Sequence, residues 1–353
     1  MVWQLTIRGI SWPMTGDEYL LLAAEAGLRY VGPDGAGFRR VRKGRGFSYV
    51  DEADAVVNGK TRKRIESLVI PPAWEDVWVS RDPSGHILAT GHDRAGRKQY
   101  MYHPLWEETR DEAKFDRLGP FGRGLSGLRS RVDADLRKRD LPREKVIALA
   151  IAVLDRTLVR VGNRRYAVDN ESYGLTTLTC EHIEVDGLHV HLEFAGKGGA
   201  EHQLAFKDRR LAGLISQCQE LAGQTLFSYE TSTGSTSSVS SSDINNYVSD
   251  TLGGAFTAKD FRTWGASSLV LGELVRSTEG DLEERTRRAI DAAAERLGNT
   301  RAVCQSSYVH PLVVESAGSG ALDTVWRWSR SGKWANREES ALRKLLAGDG
   351  ESG

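Results

Sequence analysis

The segment that most constrains the fold is PREKVIALAIAVLDRTLVR, residues 142–160. At helical spacing its apolar side chains surround most of the helix, so other elements must bury it on several sides. Helical patterns also occur before it and after it, from residue 108 to about residue 298. The C-terminal part of the chain is therefore predicted to be mainly helical. The apolar residues of the central helix are Val146, Ile147, Leu149, Ala150, Val153, Leu154 and Leu158.

The first hundred residues have the opposite character, because they are rich in short β patterns and turns. GFSYVDE (46–52), DVWVSRDPSGHILATG (76–91) and RKQYMYH (97–103) read as strands, and DPSG is a hairpin turn. KTRKRIESLVI (60–70) predicts one short helix, which the following PPAW ends. The N-terminal region is predicted to be a β-rich domain.

A small antiparallel sheet is predicted inside the helical part. In HIEVDGLHVHLEF (182–194) polar and apolar residues alternate around an Asp-Gly pair, a strong hairpin signal. A second glycine-rich turn, AGKGGAE (195–201), leads into HQLAF. ETSTGSTSSVSSS (230–242) has low complexity and is expected to be a flexible loop, with Asp243 as the N-cap of the next helix.

These patterns together predict an α+β protein with two domains. Residues 1–107 form the β-rich domain, and residues 108–353 form the larger, mainly helical domain with its small sheet. No run of about 18 apolar residues occurs, so no membrane span is expected. The start MVWQLTIRGISW lacks the features of a secretory signal. Three cysteines without metal-ligand spacing favour a reducing compartment, so we expect a cytoplasmic protein.

The formal net charge is zero, which at first argues against a nucleic-acid partner. However, residues 36–64 hold nine Lys or Arg against three Asp or Glu. Further basic residues cluster at 94–98, 136–139 and 160–165. A basic face on a neutral protein fits a clamp around a polyanion, although solvated loops would give the same composition.

Four polar residues stand where purely structural side chains are unusual. Arg160 ends the apolar helix, and Lys197 lies between glycines at a hairpin tip. Arg262 lies early in a helix of small and apolar residues, and Tyr308 lies in the polar loop NTRAVCQSSYVHP (299–311).

Each of the four also has an ordinary structural explanation. Arg160 could interact with the helix C-terminus. Lys197 could be an exposed turn lysine, and Arg262 could pair with Asp260 or a neighbouring acid. Tyr308 could be a half-buried packing residue.

Taken together, however, two arginines, a lysine and a tyrosine suit phosphodiester transesterification without a metal. A tyrosine hydroxyl has an ordinary pKa near 10, so its attack on phosphorus needs cations that stabilise the developing charge. Guanidinium groups bind two phosphate oxygens at once. A lysine beside arginines has a lowered pKa and could give a proton to the departing sugar oxygen.

The sequence resembles the type IB DNA topoisomerases, in particular the compact bacterial and poxvirus-like form. The resemblance runs from EAGLRYVG (25–32) to just beyond Tyr308 and leaves residues 1–24 and the Ser/Thr-rich loop without a role. The motifs that carry it are RIESLVIPPAWEDVW, GHILATGHDRAGRKQYMYH, NESYGLTTL, the lysine hairpin, KDFRTWGAS and SSYV.

The resemblance assigns the nucleophile to Tyr308, the catalytic arginines to Arg160 and Arg262, and the catalytic lysine to Lys197. The family usually has a histidine nine residues before the tyrosine, where this chain has Asn299. An asparagine there could donate a similar hydrogen bond to phosphate, or it could simply end the helix after Gly298.

The resemblance also gives the N-terminal domain a role in binding duplex DNA. Gln99, Tyr100 and Tyr102 match family positions that enter the major groove, and Lys98 precedes them. Gln99 and Tyr100 point to opposite faces of a strand, so at least one of them could be structural. Lys259, three residues before Arg262, matches a position close to DNA.

Two other functions fit part of the pattern. A tyrosine recombinase shares the Arg, Lys, Arg, Tyr chemistry, but usually has His-x-x-Arg where this chain has Lys259-Asp-Phe-Arg262, and its N-terminal domain is helical. A DNA-binding protein with lapsed catalysis would explain the missing histidine, but the other four residues remain. His189 and His191 share one strand face without a further ligand, so no metal site is expected.

The resemblance thus implies an enzyme that acts on double-stranded DNA as a clamp, is expected to be monomeric and nucleoid-associated, and uses no cofactor. Tyr308 would form a 3′-phosphotyrosine, and rotation of the downstream duplex would release positive or negative supercoils without ATP.

Overall fold

The computed structural model describes residues 16–33, 35–164, 167–168, 171–221, 223–231, 233–254 and 256–348. The N-terminal stretch MVWQLTIRGISW and the basic residue Arg165 lie outside these ranges. The chain divides into two compact units, Met1–Lys114 and Phe115–Gly353. The division falls within a helix, seven residues after the boundary that the sequence suggested.

The first unit is a five-stranded antiparallel sheet with three flanking helices, the last of which extends just past the division. In chain order its elements are α1 (Gly16–Glu25), β1 (Gly37–Lys43), β2 (Gly46–Val50), α2 (Gly59–Ser67), β3 (Glu75–Ser80), β4 (Ile87–His92), β5 (Lys98–Tyr102) and α3 (Pro104–Asp116). The strand order is β2-β1-β3-β4-β5. The predicted strands and the short helix are therefore confirmed.

Two small cores hold this unit together. One lies against the sheet around Ile65 and Val79, which are both fully buried. The other joins α1 to α3 through Leu22 and Trp106. Strand β4 is buried along almost its whole length, so β5 is held as an edge strand on a well-packed neighbour.

The second unit is mainly helical and contains two small sheets. Its elements are α4 (Leu118–Asp135), α5 (Arg143–Thr157), β6 (Ile183–Asp186), β7 (His189–Ala195), β8 (Glu201–Lys207), α6 (Arg209–Gln219), β9 (Ser228–Glu230), β10 (Thr236–Ser238), α7 (Ser241–Leu252), α8 (Ala258–Arg276), α9 (Leu282–Leu297), α10 (Arg301–Tyr308), α11 (Pro311–Ser319), α12 (Ala321–Arg327) and α13 (Arg337–Ala347). The α+β fold predicted from the sequence is confirmed.

Helix α5 is buried along most of its length, as its apolar circumference predicts. It packs against α4, α6, α7 and α8 and against strands β8 and β9. A second central helix, α8, contacts α4, α5 and α7 and all the helices from α9 to α13. These two helices form the frame that carries the polar residues singled out above.

A partly buried ion-pair network fixes α8 in this frame. The Arg129 guanidinium of α4 donates hydrogen bonds to the carboxylates of Asp155 and Glu339 at 2.7–2.8 Å. Trp264 of α8 donates to the same Glu339 carboxylate at 3.0 Å. Because each charge is paired and hydrogen-bonded, the network ties α4, α5, α8 and α13 together without leaving an unpaired charge.

Several local predictions were wrong. Helix α5 ends at Thr157 rather than at Arg160, because Leu158 adopts a left-handed conformation (φ 58°) that stops the helix. Asp243 is not the N-cap of α7. That position belongs to Ser240, whose hydroxyl accepts a hydrogen bond from the Asp243 backbone NH in a capping box.

The Ser/Thr-rich segment is also not simply a flexible loop, since its strand β10 pairs with the preceding β9 as a short antiparallel hairpin. Tyr308 does not lie in a loop. It is the last residue of α10, a two-turn helix that begins after the N-cap Thr300. Within the described part of the chain, every helix is too short or too polar to cross a membrane.

Candidate active site

Arg160 lies in an extended segment just after the left-handed turn that ends α5. Its carbonyl oxygen accepts a hydrogen bond from the Leu175 NH at 2.9 Å, which fixes the backbone. The approach is so close that a Cβ on Gly174 would lie 2.7 Å from this carbonyl oxygen, so only glycine fits there. The half-buried guanidinium donates a hydrogen bond to the side-chain oxygen of Asn299.

Arg262, in the second turn of α8, is only 3% exposed. Its guanidinium donates hydrogen bonds to the carbonyl oxygens of Leu158 and, at 2.9 Å, Leu297. Leu158 directly follows α5, and Leu297 is the last residue of α9. Burial lowers the pKa of Arg262, but a guanidinium ionises so far above neutrality that the group stays charged. Arg262 therefore joins the ends of two helices and places a fixed cation between them.

The half-buried ring of Tyr308 lies beneath this cation, with the Arg262 guanidinium carbon 5.0 Å from the ring centroid. Burial of the ring raises the pKa of Tyr308, but the positive charges of Arg262, Arg160 and Lys259 lower it, and its pKa lies below the ordinary value. The environment thus favours the phenolate, the form that acts as a nucleophile.

The backbone around Tyr308 is held by Ser267 of α8, which is fully buried. The Ser267 hydroxyl donates to the Tyr308 carbonyl oxygen at 3.1 Å and accepts from the His310 NH at 2.9 Å. Arg262 and Ser267 lie on one helix, so α8 sets the position of the tyrosine relative to the cation.

Asn299 follows Gly298, which ends α9 in the left-handed conformation (φ 60°). Its backbone NH donates to the Ala294 carbonyl at 2.9 Å, so it does close the helix. Its side-chain oxygen accepts from Arg160. The side-chain NH₂ of Asn299 is buried and has no acceptor among the described residues. Asn299 therefore ends the helix and also belongs to the site.

Three buried N–H groups in the region of Tyr308, including that of Asn299, lack an acceptor among the described residues. Within the described residues no acceptor satisfies Arg160 Nη1, Arg262 Nε or Asn299 Nδ2. Buried donors are normally hydrogen-bonded, and leaving one unpaired costs about 1–3 kcal/mol. Unpaired donors from three separate elements, two of them cationic, form a receptor for a group with several acceptor oxygens, such as a phosphodiester.

Lys197 is placed differently from the other four predicted residues. It is exposed at the turn between β7 and β8, where Gly198 and Gly199 have φ values of 76° and 75°. Its ammonium group makes no hydrogen bond or ion pair with any residue that the structure describes. The structure pairs Arg160 with Asn299 and Arg262 with Tyr308, with the charge of Arg160 also acting on Tyr308, and leaves Lys197 on the neighbouring hairpin.

Lys259 lies exposed in the first turn of α8, one turn before Arg262. It lies near enough to Tyr308 to contribute to lowering the pKa of the phenol. Asp260, an alternative partner predicted for Arg262, pairs with Arg117 at 3.3 Å instead. The structural alternative for Arg262 is therefore wrong.

The other predicted DNA-binding residues lie on β5 of the first unit. Lys98, Tyr100 and Tyr102 share one face of the strand, with the tyrosine rings stacked 5.8 Å apart and the Lys98 ammonium 5.8 Å from the Tyr100 ring centroid. Gln99 points to the other face and donates to the Asp93 carboxylate at 2.9 Å. Gln99 is thus engaged within its own unit, whereas the ring of Tyr100 is exposed.

The described residues include no group of three or more His, Cys, Asp or Glu side chains that could hold a metal ion. His189 and His191 do lie on one face of β7, with ring centroids 6.4 Å apart. The candidate site itself offers N–H donors and a phenol, which suit an anion rather than a cation.

Sequence reasoning did not find two residues of this region, Ser267 and His202. Ser267 was visible only as one of several small residues in KDFRTWGASS, where nothing local distinguishes it from its neighbours. His202 follows the lysine hairpin and is buried beside Arg160 and Arg262, whose charges act on its pKa. The sequence placed it only at the start of HQLAF, after the glycine-rich turn, and no local pattern indicates what it faces.

Comparisons with known proteins identify the family to which the sequence is similar. The family model described as "Eukaryotic DNA topoisomerase I, catalytic core" matches residues 103–320. The model described as "Bacterial DNA topoisomerase IB, N-terminal domain" matches residues 46–93. The first match includes all five predicted catalytic residues, and the second lies within the β-rich unit.

Two curated relatives extend the comparison. DNA topoisomerase 1B of Acanthamoeba polyphaga mimivirus is 31% identical over 280 residues, which cover 76% of this chain and 83% of the relative. DNA topoisomerase 1B of Vaccinia virus (strain Copenhagen) is 28% identical over 149 residues, 41% of this chain and 44% of the relative. Among solved structures, a post-cleavage complex of the XerH site-specific recombinase bound to difH aligns with a TM-score of 0.37 and 14% identity, covering 55% of this chain and 50% of that chain.

Proposed function

Because this chain belongs to the type IB DNA topoisomerase family, we propose that it relaxes supercoiled duplex DNA through a covalent bond between Tyr308 and a broken strand. The observation that carries the proposal is the set of three unpaired N–H donors, from Arg160, Arg262 and Asn299, beside this tyrosine. A scissile phosphodiester offers the acceptor oxygens that these donors lack. All the residues come from one chain, so the enzyme is proposed to act as a monomer.

In the first step the Tyr308 oxygen attacks phosphorus as its proton passes to solvent water. The Arg262 cation above the ring favours loss of this proton, since it lowers the pKa of the phenol. Negative charge grows on the non-bridging oxygens in the transition state, where Arg160, Arg262 and Asn299 donate to them. Donors fixed before the reaction stabilise this charge without reorganising.

In the same step the bond from phosphorus to the sugar 5′ oxygen breaks, and this oxygen needs a proton. We assign the proton to the Lys197 ammonium. On the hairpin it is exposed and has no competing partner among the described residues, so it can approach the leaving group when DNA is bound. The products are a 3′-phosphotyrosine and a strand with a free 5′-hydroxyl.

The bond energy of the phosphodiester is kept in the tyrosine ester, so the reaction can run backward without ATP. Rotation of the downstream duplex releases supercoils while the strand is open, and the 5′-hydroxyl then attacks the ester to reseal the strand. The arginines take the charge-stabilising role that a metal ion plays in other phosphoryl transfers, so neither a metal nor a cofactor is required.

We further propose that the exposed face of β5 binds the duplex. Lys98, Tyr100 and Tyr102 lie side by side on it and combine one cation with two phenol groups. Such groups contact phosphates and base edges in DNA grooves. Gln99 could join them only by releasing Asp93, whereas Lys259 is exposed in the catalytic unit and free to contact phosphate.

The test is to incubate the purified protein with negatively or positively supercoiled plasmid in EDTA, without nucleotide. The wild-type protein should relax both, and Tyr308→Phe should bind the plasmid with unchanged affinity but relax neither. A strict requirement for Mg²⁺ or ATP, or relaxation by Tyr308→Phe, would refute the proposal. Products joined between two separate duplexes would instead indicate a recombinase.

A further inference from the structure

One buried histidine beside the site has no part in the mechanism above. His202 is the second residue of β8 and is 6% exposed. Its ring stacks on Phe194, its cross-strand partner in β7, with centroids 4.9 Å apart and planes 16° from parallel. This stacking fixes the plane of the ring. The edge that carries Cδ2, Nε2 and Cε1 therefore has a defined position.

That edge lies against two glycines, each of which directly precedes a predicted catalytic residue. A Cβ on Gly196, the residue before Lys197, would lie 2.6 Å from Cδ2 and Nε2 of His202. A Cβ on Gly298, the residue before Asn299, would overlap the ring at Cε1. The ring is therefore packed between the backbone of the lysine hairpin and the backbone of the turn that carries Asn299.

Burial and the charges around His202 favour the neutral form of the ring. Burial lowers its pKa, and the cations Arg160 and Arg262 lower it further. A neutral ring fills the space without adding a third positive charge that would repel the two arginines. Its immediate neighbourhood thus includes the elements that carry Lys197, Asn299, Arg160 and Arg262.

We propose that His202 is a positioning residue that sets the separation of the lysine hairpin from the Asn299 turn. It acts by its shape, through the backbones of Gly196 and Gly298, and does not itself touch the phosphate. The inference rests on the proposed transesterification, because it assumes that Lys197 and Asn299 act on the same phosphate. Misplacing a catalytic group by about 1 Å can cost about 10²-fold in rate.

The experiment compares His202→Ala and His202→Phe by single-turnover cleavage of a short duplex, with DNA affinity and thermal unfolding measured in parallel. His202→Ala should slow cleavage by roughly 10–10²-fold and change the dissociation constant by less than about 2-fold. His202→Phe restores a flat ring that stacks on Phe194, so it should recover most of the rate. His191→Ala, an exposed histidine of the same sheet, is the matched control and should cleave like the wild type.

A double-mutant cycle identifies the elements through which His202 acts. If the ring positions Lys197, adding His202→Ala to Lys197→Ala should cost much less than it does alone, because the misplaced group is already absent. The same comparison with Asn299→Ala tests the other contact. Strict additivity in both cycles would overturn the inference.

Two further results would also overturn it. Wild-type cleavage by His202→Ala would show that the ring is not needed. Equal defects in a folded His202→Phe and in His202→Ala would show that a ring nitrogen, rather than the shape of the ring, is required. Neither result would affect the proposed function, which fails only if the wild-type protein itself does not cleave through Tyr308.

Discussion

The arginine–tyrosine side of the site and the lysine hairpin differ in how their side chains are held. Arg262 is buried and bonded to two carbonyls, and the backbone of Tyr308 is fixed by Ser267 on the same helix. Lys197 is exposed between glycines, and its ammonium makes no hydrogen bond or ion pair with the described residues. One side is assembled before DNA arrives, whereas the other has only its backbone in place.

This difference matches two different tasks in the reaction. Charge stabilisation benefits from donors that are already oriented, because reorienting them would cost free energy during the step. A proton donor must reach one oxygen and later take the proton back, so it benefits from freedom of the side chain. We therefore expect substitutions on the arginine–tyrosine side to impair both folding and chemistry. Substitutions of Lys197 on the hairpin should impair chemistry alone.

The largest effect is expected for Arg262→Ala. Loss of the guanidinium removes stabilisation of the transferring phosphoryl group, worth roughly 10³–10⁵ in rate for arginines of this type. It also leaves the carbonyls of Leu158 and Leu297 without their donor, which should lower the free energy of unfolding by at least about 1–3 kcal/mol. Single-turnover cleavage and chemical denaturation measure the two effects.

Arg160→Ala is the matched control for the structural half of this prediction. Its guanidinium bonds to the Asn299 side chain and not to a helix end, so cleavage should fall strongly with a smaller loss of stability. Equal destabilisation by the two substitutions would break the distinction between an arginine that joins helix ends and one that does not.

Lys197→Ala should have the next largest effect, about 10²–10⁴-fold on cleavage, the usual range for a general acid. Thermal unfolding should be unchanged because the side chain is exposed.

A duplex in which sulfur replaces the bridging 5′ oxygen tests the role of Lys197 more specifically, since a thiolate departs without being protonated. That substrate should restore cleavage by Lys197→Ala and should not restore cleavage by Arg262→Ala. Rescue of both variants, or of neither, would contradict the assignment of Lys197 as proton donor.

Asn299→Ala should slow cleavage by up to about 10²–10³-fold, the cost of one donor to a developing oxyanion. DNA affinity should barely change. Asn299→His should remain active and acquire a rate dependence at or below about pH 6–7, because a histidine titrates near this range and neighbouring cations lower its pKa. Because the cationic form is the stronger donor, this rate should rise as the pH falls through that range. Wild-type cleavage by Asn299→Ala would leave Asn299 as a helix terminator only.

The smallest effect is expected for Lys98→Ala, on the exposed face of β5. Affinity for DNA should weaken by a similar factor on every sequence, and the slope of log affinity against log salt should fall by roughly 1. Cleavage from a saturated complex should be unaffected. Arg97→Ala is a useful comparison, because Arg97 is already paired with Asp93 at 2.8 Å. An unchanged salt slope for Lys98→Ala would show that this face does not bind DNA.

Much of the fold could be predicted because its signals are local. The Asp-Gly pair at 186–187 predicted the β6–β7 hairpin, and the apolar circumference of α5 predicted its burial; both are confirmed. The end of α5 could not be predicted, since Leu158 is an ordinary helix former. Its left-handed conformation exposes a carbonyl to Arg262, 104 residues away along the chain.

The same limit applies to the candidate site. Residue chemistry and the family resemblance identified Arg160, Arg262 and Asn299, but not that Arg160 and Asn299 would bind each other across 139 residues. Ser267 and His202 were missed because their partners lie on other elements. Contacts of this kind depend on tertiary packing, which no local pattern records. The roles assigned to the five residues stay predictions until cleavage is measured.

The most direct test of the central claim is to locate the covalent bond. The protein is incubated with an end-labelled duplex, denatured during the reaction, digested with protease and analysed by mass spectrometry. The account predicts a DNA fragment joined through its 3′ phosphate to the peptide that contains Tyr308, and no adduct for Tyr308→Phe. An adduct on the 5′ end, or on any residue other than Tyr308, would contradict it.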